Sequence, residues 1–127
     1  MSGPRILVVD DDPDILEMIE FKLLGLGYDV HTRPDGDQGL TAARTLRPAL
    51  VLLDWTMPGR NGIEVLEAVR ADTDVALART PVLLVTARSQ PEDLARCTAA
   101  GATGYIAKPF SLRDLATRVE AEVGPAA

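Results

Sequence analysis

Carboxylates gather at two points of this chain: Asp10, Asp11 and Asp12 follow the apolar run 6–9 (ILVV), and Asp54 follows the apolar run 49–53 (ALVLL). Thr86 stands just after the run 81–85 (PVLLV), and Lys108 just after 103–107 (TGYIA). Several acids in one site repel one another and raise one another's pKa unless a cation compensates. Oxygen donors without His or Cys suit Mg²⁺ better than zinc, and Mg²⁺ commonly keeps waters and phosphate oxygens among its ligands. A carboxylate can also take a phosphoryl group as an acyl phosphate, with a hydroxyl and an ammonium to hold the phosphoryl oxygens. The chemistry that fits is metal-assisted phosphoryl transfer, with Asp54 as nucleophile and Mg²⁺, Lys108 and Thr86 stabilising the charge in transfer. Only Lys22 and Lys108 among the 13 basic residues are lysines, which singles out Lys108 for a task that suits a compact ammonium.

These groups can meet only if the apolar runs are neighbouring strands. Residues 6–9 follow Gly3-Pro4 and read as a strand buried on both faces. Between Pro13 and Leu26 the apolar residues recur at spacings of three and four, a helix with Pro13 in its first turn and Gly27 as its stop. Residues 28–32 form a more polar edge strand, 36–46 a second helix closed by Pro48, and 49–53 an all-apolar strand. A loop with Pro58, Gly59, Asn61 and Gly62 leads into a third helix that fades near Asp72, and 73–80 reads as a surface connection. Strand 81–85, a helix from Ser89 or Gln90 to Ala100, strand 103–107 and a last helix from Ser111 to Val123 complete the chain. Five βα units imply a doubly wound α/β fold with a five-stranded parallel sheet and helices on both faces. In a 2-1-3-4-5 strand order the four chemical positions share the carboxyl edge, where such sheets bind their ligands.

The 127 residues, 46% of them apolar, predict one domain with a core at about 4–123 and no internal repeat. A net charge of -6 is the wrong sign for a nucleic-acid footprint, so direct DNA or RNA binding by this chain is not expected. The lone Cys97 and the lack of a long apolar segment predict a reducing, cytoplasmic location away from membranes. His31 reads as an edge-strand residue and Cys97 as a small apolar one, while one of the N-terminal acids, Asp12 first, suits a helix cap.

The runs ILVVDDDPDI, LVLLDWTMPGRNG, LLVTAR and GYIAKPF together resemble the receiver domain of two-component response regulators along nearly the whole chain. The resemblance implies a CheY-like fold and a phosphorylation-dependent switch. By that analogy Asp54 is the phosphoacceptor, and Mg²⁺ is held by Asp11, by Asp10 mainly through water, by Asp54 and by the main-chain carbonyl of Thr56. Thr86 matches the switch hydroxyl, Ala87 leaves room for the phosphoryl group, Lys108 pairs with it, and the Lys108-Pro109 bond is expected to be cis. Tyr105 matches the aromatic residue that moves inward as the hydroxyl is drawn to the phosphoryl group, altering the face of the last strand and the helices flanking it. Thr56 and Arg88 match positions that tune dephosphorylation. The implied partners are a sensor histidine kinase or histidine phosphotransfer protein, and a downstream protein or an output domain outside this chain. The acidic pair that supports dimers on the switch face in many DNA-binding regulators is replaced here by Thr103-Gly104, which argues against that dimer.

Two other functions compete. A Mg²⁺-dependent phosphohydrolase with an Asp nucleophile usually has a second Asp two residues on, where this chain has Thr56. A flavodoxin-like cofactor binder needs a hydroxyl- and glycine-rich phosphate loop after the first strand, where this chain has three acids that repel phosphate.

Overall fold

The computed structural model describes residues 3–126. Apolar runs rich in Val, Leu and Ile become β1 (Arg5–Val9), β3 (Leu50–Asp54) and β4 (Val82–Thr86), flanked by the shorter, more polar β2 (Asp29–Arg33) and β5 (Gly104–Ala107). The periodic segments between and after them become α1 (Pro13–Gly25), α2 (Gly36–Leu46), α3 (Gly62–Arg70), α5 (Pro91–Ala100) and α6 (Leu112–Val123). Every strand pairing is parallel and the order is β2-β1-β3-β4-β5. The fold is the CheY-like doubly wound α/β sheet expected from the sequence.

Successive side chains on a strand point to opposite faces, so each central strand feeds two cores. Leu7, Val9, Val51, Leu53, Val82 and Leu84 pack with α2, α3 and α5, whereas Ile6, Val8, Leu50, Leu52, Leu83 and Val85 pack with α1 and α6. The same alternation fixes which face each site residue shares. Asp10, Asp54 and Lys108 continue the parity of Val8, Leu52 and Ile106, on the α1/α6 side, while Trp55 continues that of Leu53 into the other core.

Local signals hold the helix ends. Asp12 caps α1 by accepting from the Asp14 N–H at 2.9 Å, with Pro13 in the first turn. Asn61 and Glu64 form a reciprocal capping box at the start of α3, with both bonds at 3.0 Å. Gly101 ends α5 in the left-handed region at φ 96.

One expectation needs correction. The connection 73–80 is not a plain surface loop but contains a one-turn helix, α4 (Val75–Ala78). Four residues are too few for a helical period to register in the sequence. The turn is fixed by other means: Asp74 caps it through the Ala76 and Leu77 N–H groups, and Leu77 is buried in the core. Arg70 then donates to the carbonyls of Ala78 at 3.1 Å and Thr80 at 2.7 Å, at the open end of this turn, and to that of Gly101 at 2.9 Å, at the end of α5. No helix among the described residues is long and apolar enough to cross a membrane.

Candidate functional site

The carboxyl ends of β1, β3, β4 and β5 carry the site. The Asp10 N–H continues the sheet ladder onto the Arg33 carbonyl at 3.2 Å, and the Trp55 N–H does so onto Val85 at 3.3 Å. The acids beside them are therefore placed by main-chain pairing and not by flexible loops. Asp10 is 2% exposed and Asp54 5% exposed, whereas Asp11 faces solvent. Asp10, Asp11 and Asp54 each bring a carboxylate oxygen within 4.8 Å of the others.

Lys108 spans this pocket. Its Nζ donates to Asp10 Oδ2 at 3.2 Å and lies 3.4 Å from Asp54 Oδ1, and its own N–H is tied to the Thr86 carbonyl at 2.8 Å. Burial, then the neighbouring Asp10 carboxylate, push the Asp54 pKa up to about 6, against the pull of Lys108 and of the Thr56 N–H. Burial disfavours the charge on Lys108, yet the Asp54 and Asp10 carboxylates outweigh it and raise the ammonium above its ordinary pKa. One ammonium thus leaves three clustered carboxylates undercompensated, the electrostatic condition a divalent cation relieves. The all-oxygen donor set, with one solvent-facing member, fits Mg²⁺.

The remaining expected site residues fall around this pocket. Thr86 is buried at the end of β4, and its Oγ1 accepts from the Arg88 N–H at 2.9 Å. Ala87 is exposed and lines an apolar cleft with Lys108, Pro109 and Phe110. The Lys108-Pro109 peptide bond is cis. Thr56 is exposed, with its N–H 3.4 Å from Asp54 Oδ1. Tyr105, on the edge strand β5, is 40% exposed. The Arg88 guanidinium lies over the Trp55 ring, 4.6 Å from its centroid. Asp12 is occupied in capping α1, His31 lies on edge strand β2 beside Asp29, and Cys97 is buried, where desolvation raises its thiol pKa.

Two contributors escaped the sequence. Gly62 lies so close to the Asp54 and Trp55 main chain that a side chain there would meet both, a constraint hidden in what reads only as a glycine-bearing loop. The Trp55-Arg88 stack joins residues of different βα units, and nothing local announces it.

A doubly wound parallel sheet with a buried acidic pocket at the carboxyl ends of its central strands, and a lysine just after its edge strand β5, is the build of a CheY-like receiver domain. The family model for the response regulator receiver domain matches residues 6–120, and the chain belongs to that family. It is 45% identical over 119 residues to the DNA-binding response regulator MtrA of Mycolicibacterium smegmatis, covering 94% of this chain and 50% of that protein. It is 43% identical over 122 residues to the transcriptional regulatory protein PrrA of Mycobacterium leprae, covering 95% of this chain and 50% of that protein. The chain thus spans about half the length of these curated relatives. Among solved structures, the chemotaxis protein CheY4 of Vibrio cholerae superposes with a TM-score of 0.88 at 32% identity, covering 95% of this chain and 99% of that one.

Proposed function

We propose that this chain is a phosphorylation-dependent switch that accepts a phosphoryl group on Asp54 from a histidine kinase or a histidine phosphotransfer protein. The carrying observation is the pocket itself: a buried carboxylate beside two others, bridged by the chain's one lysine on that rim. Mg²⁺ would be held by Asp11, Asp10, Asp54 and the Thr56 carbonyl, and when bound it supplies positive charge that neutralises the carboxylates and the phosphoryl oxygens. The Asp54 carboxylate attacks phosphorus, the phosphorus-nitrogen bond of the phosphohistidine breaks, and the imidazole leaves. Lys108 stays in place to pair with the phosphoryl oxygens, and Thr86 turns its hydroxyl toward them, with Ala87 too small to obstruct. Tyr105 then moves inward, and the surface of α5, β5 and α6 presents a different face to a downstream partner or output domain. Thr56 and Arg88 tune the lifetime by controlling water access.

Apolar side chains near the pocket favour a protein donor over a small phosphoester. Met18 and Phe21 on α1 are exposed, and the cleft formed by Ile15, Met18, Pro109, Phe110 and Leu112 runs up to Lys108. The chain would then be one receiver domain along its whole length, make no direct contact with nucleic acid, and work in a cytoplasmic setting.

Trp55 adjoins Asp54, so its emission reports on the site. Its fluorescence is expected to change on titration with Mg²⁺ and again on adding beryllofluoride, the second change being absent in Asp54→Asn. Mg²⁺ at about 100 times its dissociation constant should stabilise the fold by about 2.7 kcal/mol. Flat emission and an unshifted melting temperature through millimolar Mg²⁺ would contradict the metal site, and steady turnover of a generic phosphoester would favour a hydrolase.

A further inference from the structure

Helix α5 is anchored unevenly. The residues it buries, Cys97 and Ala100, lie in its C-terminal half, and Arg96 of the same half reaches Glu67 of α3 across 3.7 Å. Its first turn has no such hold: the loop 87–90 and the residues Pro91 and Glu92 are exposed, and Gln90 makes no side-chain cap.

One side chain of this loop turns back to the core. The Arg88 guanidinium carbon lies 4.6 Å from the centroid of the Trp55 ring, and Nη1 lies 3.9 Å from Asp93 Oδ1 in the first turn of α5. A guanidinium over an indole face is attracted by the ring quadrupole and stacks flat on it. An exposed ion pair as long as that to Asp93 is weak alone. The stack therefore fixes the side chain, and Asp93 takes its outer edge. Trp55 itself is packed among the buried residues of the α2/α3/α5 side, on the opposite face of the sheet from the Asp54 carboxylate. The main chain of Arg88 is also held, by its N–H bond to Thr86 Oγ1.

We propose that Arg88 is a positioning residue that ties the first turn of α5 to Trp55, and that Thr86 loosens this tie when its hydroxyl turns toward a phosphoryl group on Asp54. The second half rests on the function proposed above. Turning Oγ1 toward Asp54 removes the acceptor of the Arg88 N–H, and the main chain that carries the guanidinium is freed. The lightly anchored end of α5 then moves while its C-terminal half stays fixed by the buried Cys97 and Ala100. The event at Asp54 thus reaches the far side of the sheet through one side chain.

Hydrogen exchange and Trp55 emission on the whole chain test this. Without any ligand, Arg88→Ala is expected to speed exchange at residues 92–95, leave 97–100 unchanged and shift Trp55 emission. Arg88→Lys, which keeps a cation but cannot stack flat on the indole, should restore only part of both. Asp93→Asn should speed exchange in the first turn only and leave the emission as in the wild type. With Mg²⁺, Arg88→Ala should bind beryllofluoride about two- to fivefold more tightly, since the arrangement it must leave is no longer held. Unaltered exchange and emission in Arg88→Ala overturn the tie, and unaltered or weaker beryllofluoride binding overturns its coupling to Thr86. A wild type blind to beryllofluoride, with the exchange effects present, sinks the phosphoacceptor function and leaves the tie standing.

Discussion

Asp54→Asn is expected to be more stable than the wild type at about pH 8 by about 1–3 kcal/mol, while losing the capacity to take a phosphoryl group. Burial and the Asp10 carboxylate raise the Asp54 pKa from 3.8 to about 6, so the folded state disfavours its charge. For a pKa raised by folding, the contribution to stability is fully present below the unfolded value and is lost as pH rises through the folded value. The wild type should accordingly lose stability between 3.8 and about 6 and carry the whole cost above that range. Asn is neutral at every pH, so the gap between the two proteins should close near pH 4 and open to its full size above about pH 7. Saturating Mg²⁺ should narrow the gap at high pH, because the cation neutralises the repulsion that Asn removes. Urea denaturation of both proteins across this pH range, with and without Mg²⁺, measures each part. An Asn variant no more stable than the wild type at high pH would show that Lys108 fully compensates the acidic pocket.

Gly62→Ala is expected to cost about 1–3 kcal/mol and to distort the phosphoacceptor loop. A Cβ at Gly62 would collide with the Asp54 carbonyl and stand 2.8 Å from Trp55 Cα. Both are main chain and neither can swing aside as a long side chain does. Gly62 also donates its N–H to the Trp55 carbonyl at 2.9 Å, so any retreat of α3 breaks a bond that fixes the loop. The variant should show a lower denaturant midpoint, a shifted Trp55 emission and weakened response to beryllofluoride. Gly25→Ala is the control: nothing lies within 4 Å of a Cβ there, and Ala at the end of α1 should be neutral or slightly stabilising. Equal midpoints for Gly62→Ala and the wild type would mean that the α3 start is free to shift, contrary to the packing described.

How much of this could be read from the residues differs by element, for physical reasons. Strands β1, β3 and β4 are buried on both faces and so declare themselves as continuous apolar runs, and the acids after them then mark the carboxyl edge. Helices α1, α2, α3, α5 and α6 were legible because each is long enough to show a period and ends on a Pro, Gly or Asx signal. Helix α4 was not, since it is held by Asp74, Leu77 and Arg70 and not by any period of its own. Asp10, Asp11 and Asp12 look alike in sequence and differ only in direction. Strand parity turns Asp10 inward beside Asp54, Asp11 faces solvent at the pocket rim, and Asp12 spends its carboxylate on the α1 cap. The steric role of Gly62 and the Trp55-Arg88 stack depend on distances between segments far apart in the chain, and residue type gives no trace of those.

Every step of the proposed switch depends on phosphoryl uptake by Asp54. Its most direct test is intact-protein and peptide mass spectrometry after incubation with Mg²⁺ and a small phosphodonor such as acetyl phosphate. The wild type should gain the mass of one phosphoryl group, located to Asp54, sensitive to hydroxylamine as an acyl phosphate is, lost when Mg²⁺ is chelated beforehand, and absent from Asp54→Asn. A wild type that takes up no phosphoryl group, or an Asp54→Asn variant that takes it up as readily, would contradict uptake at Asp54.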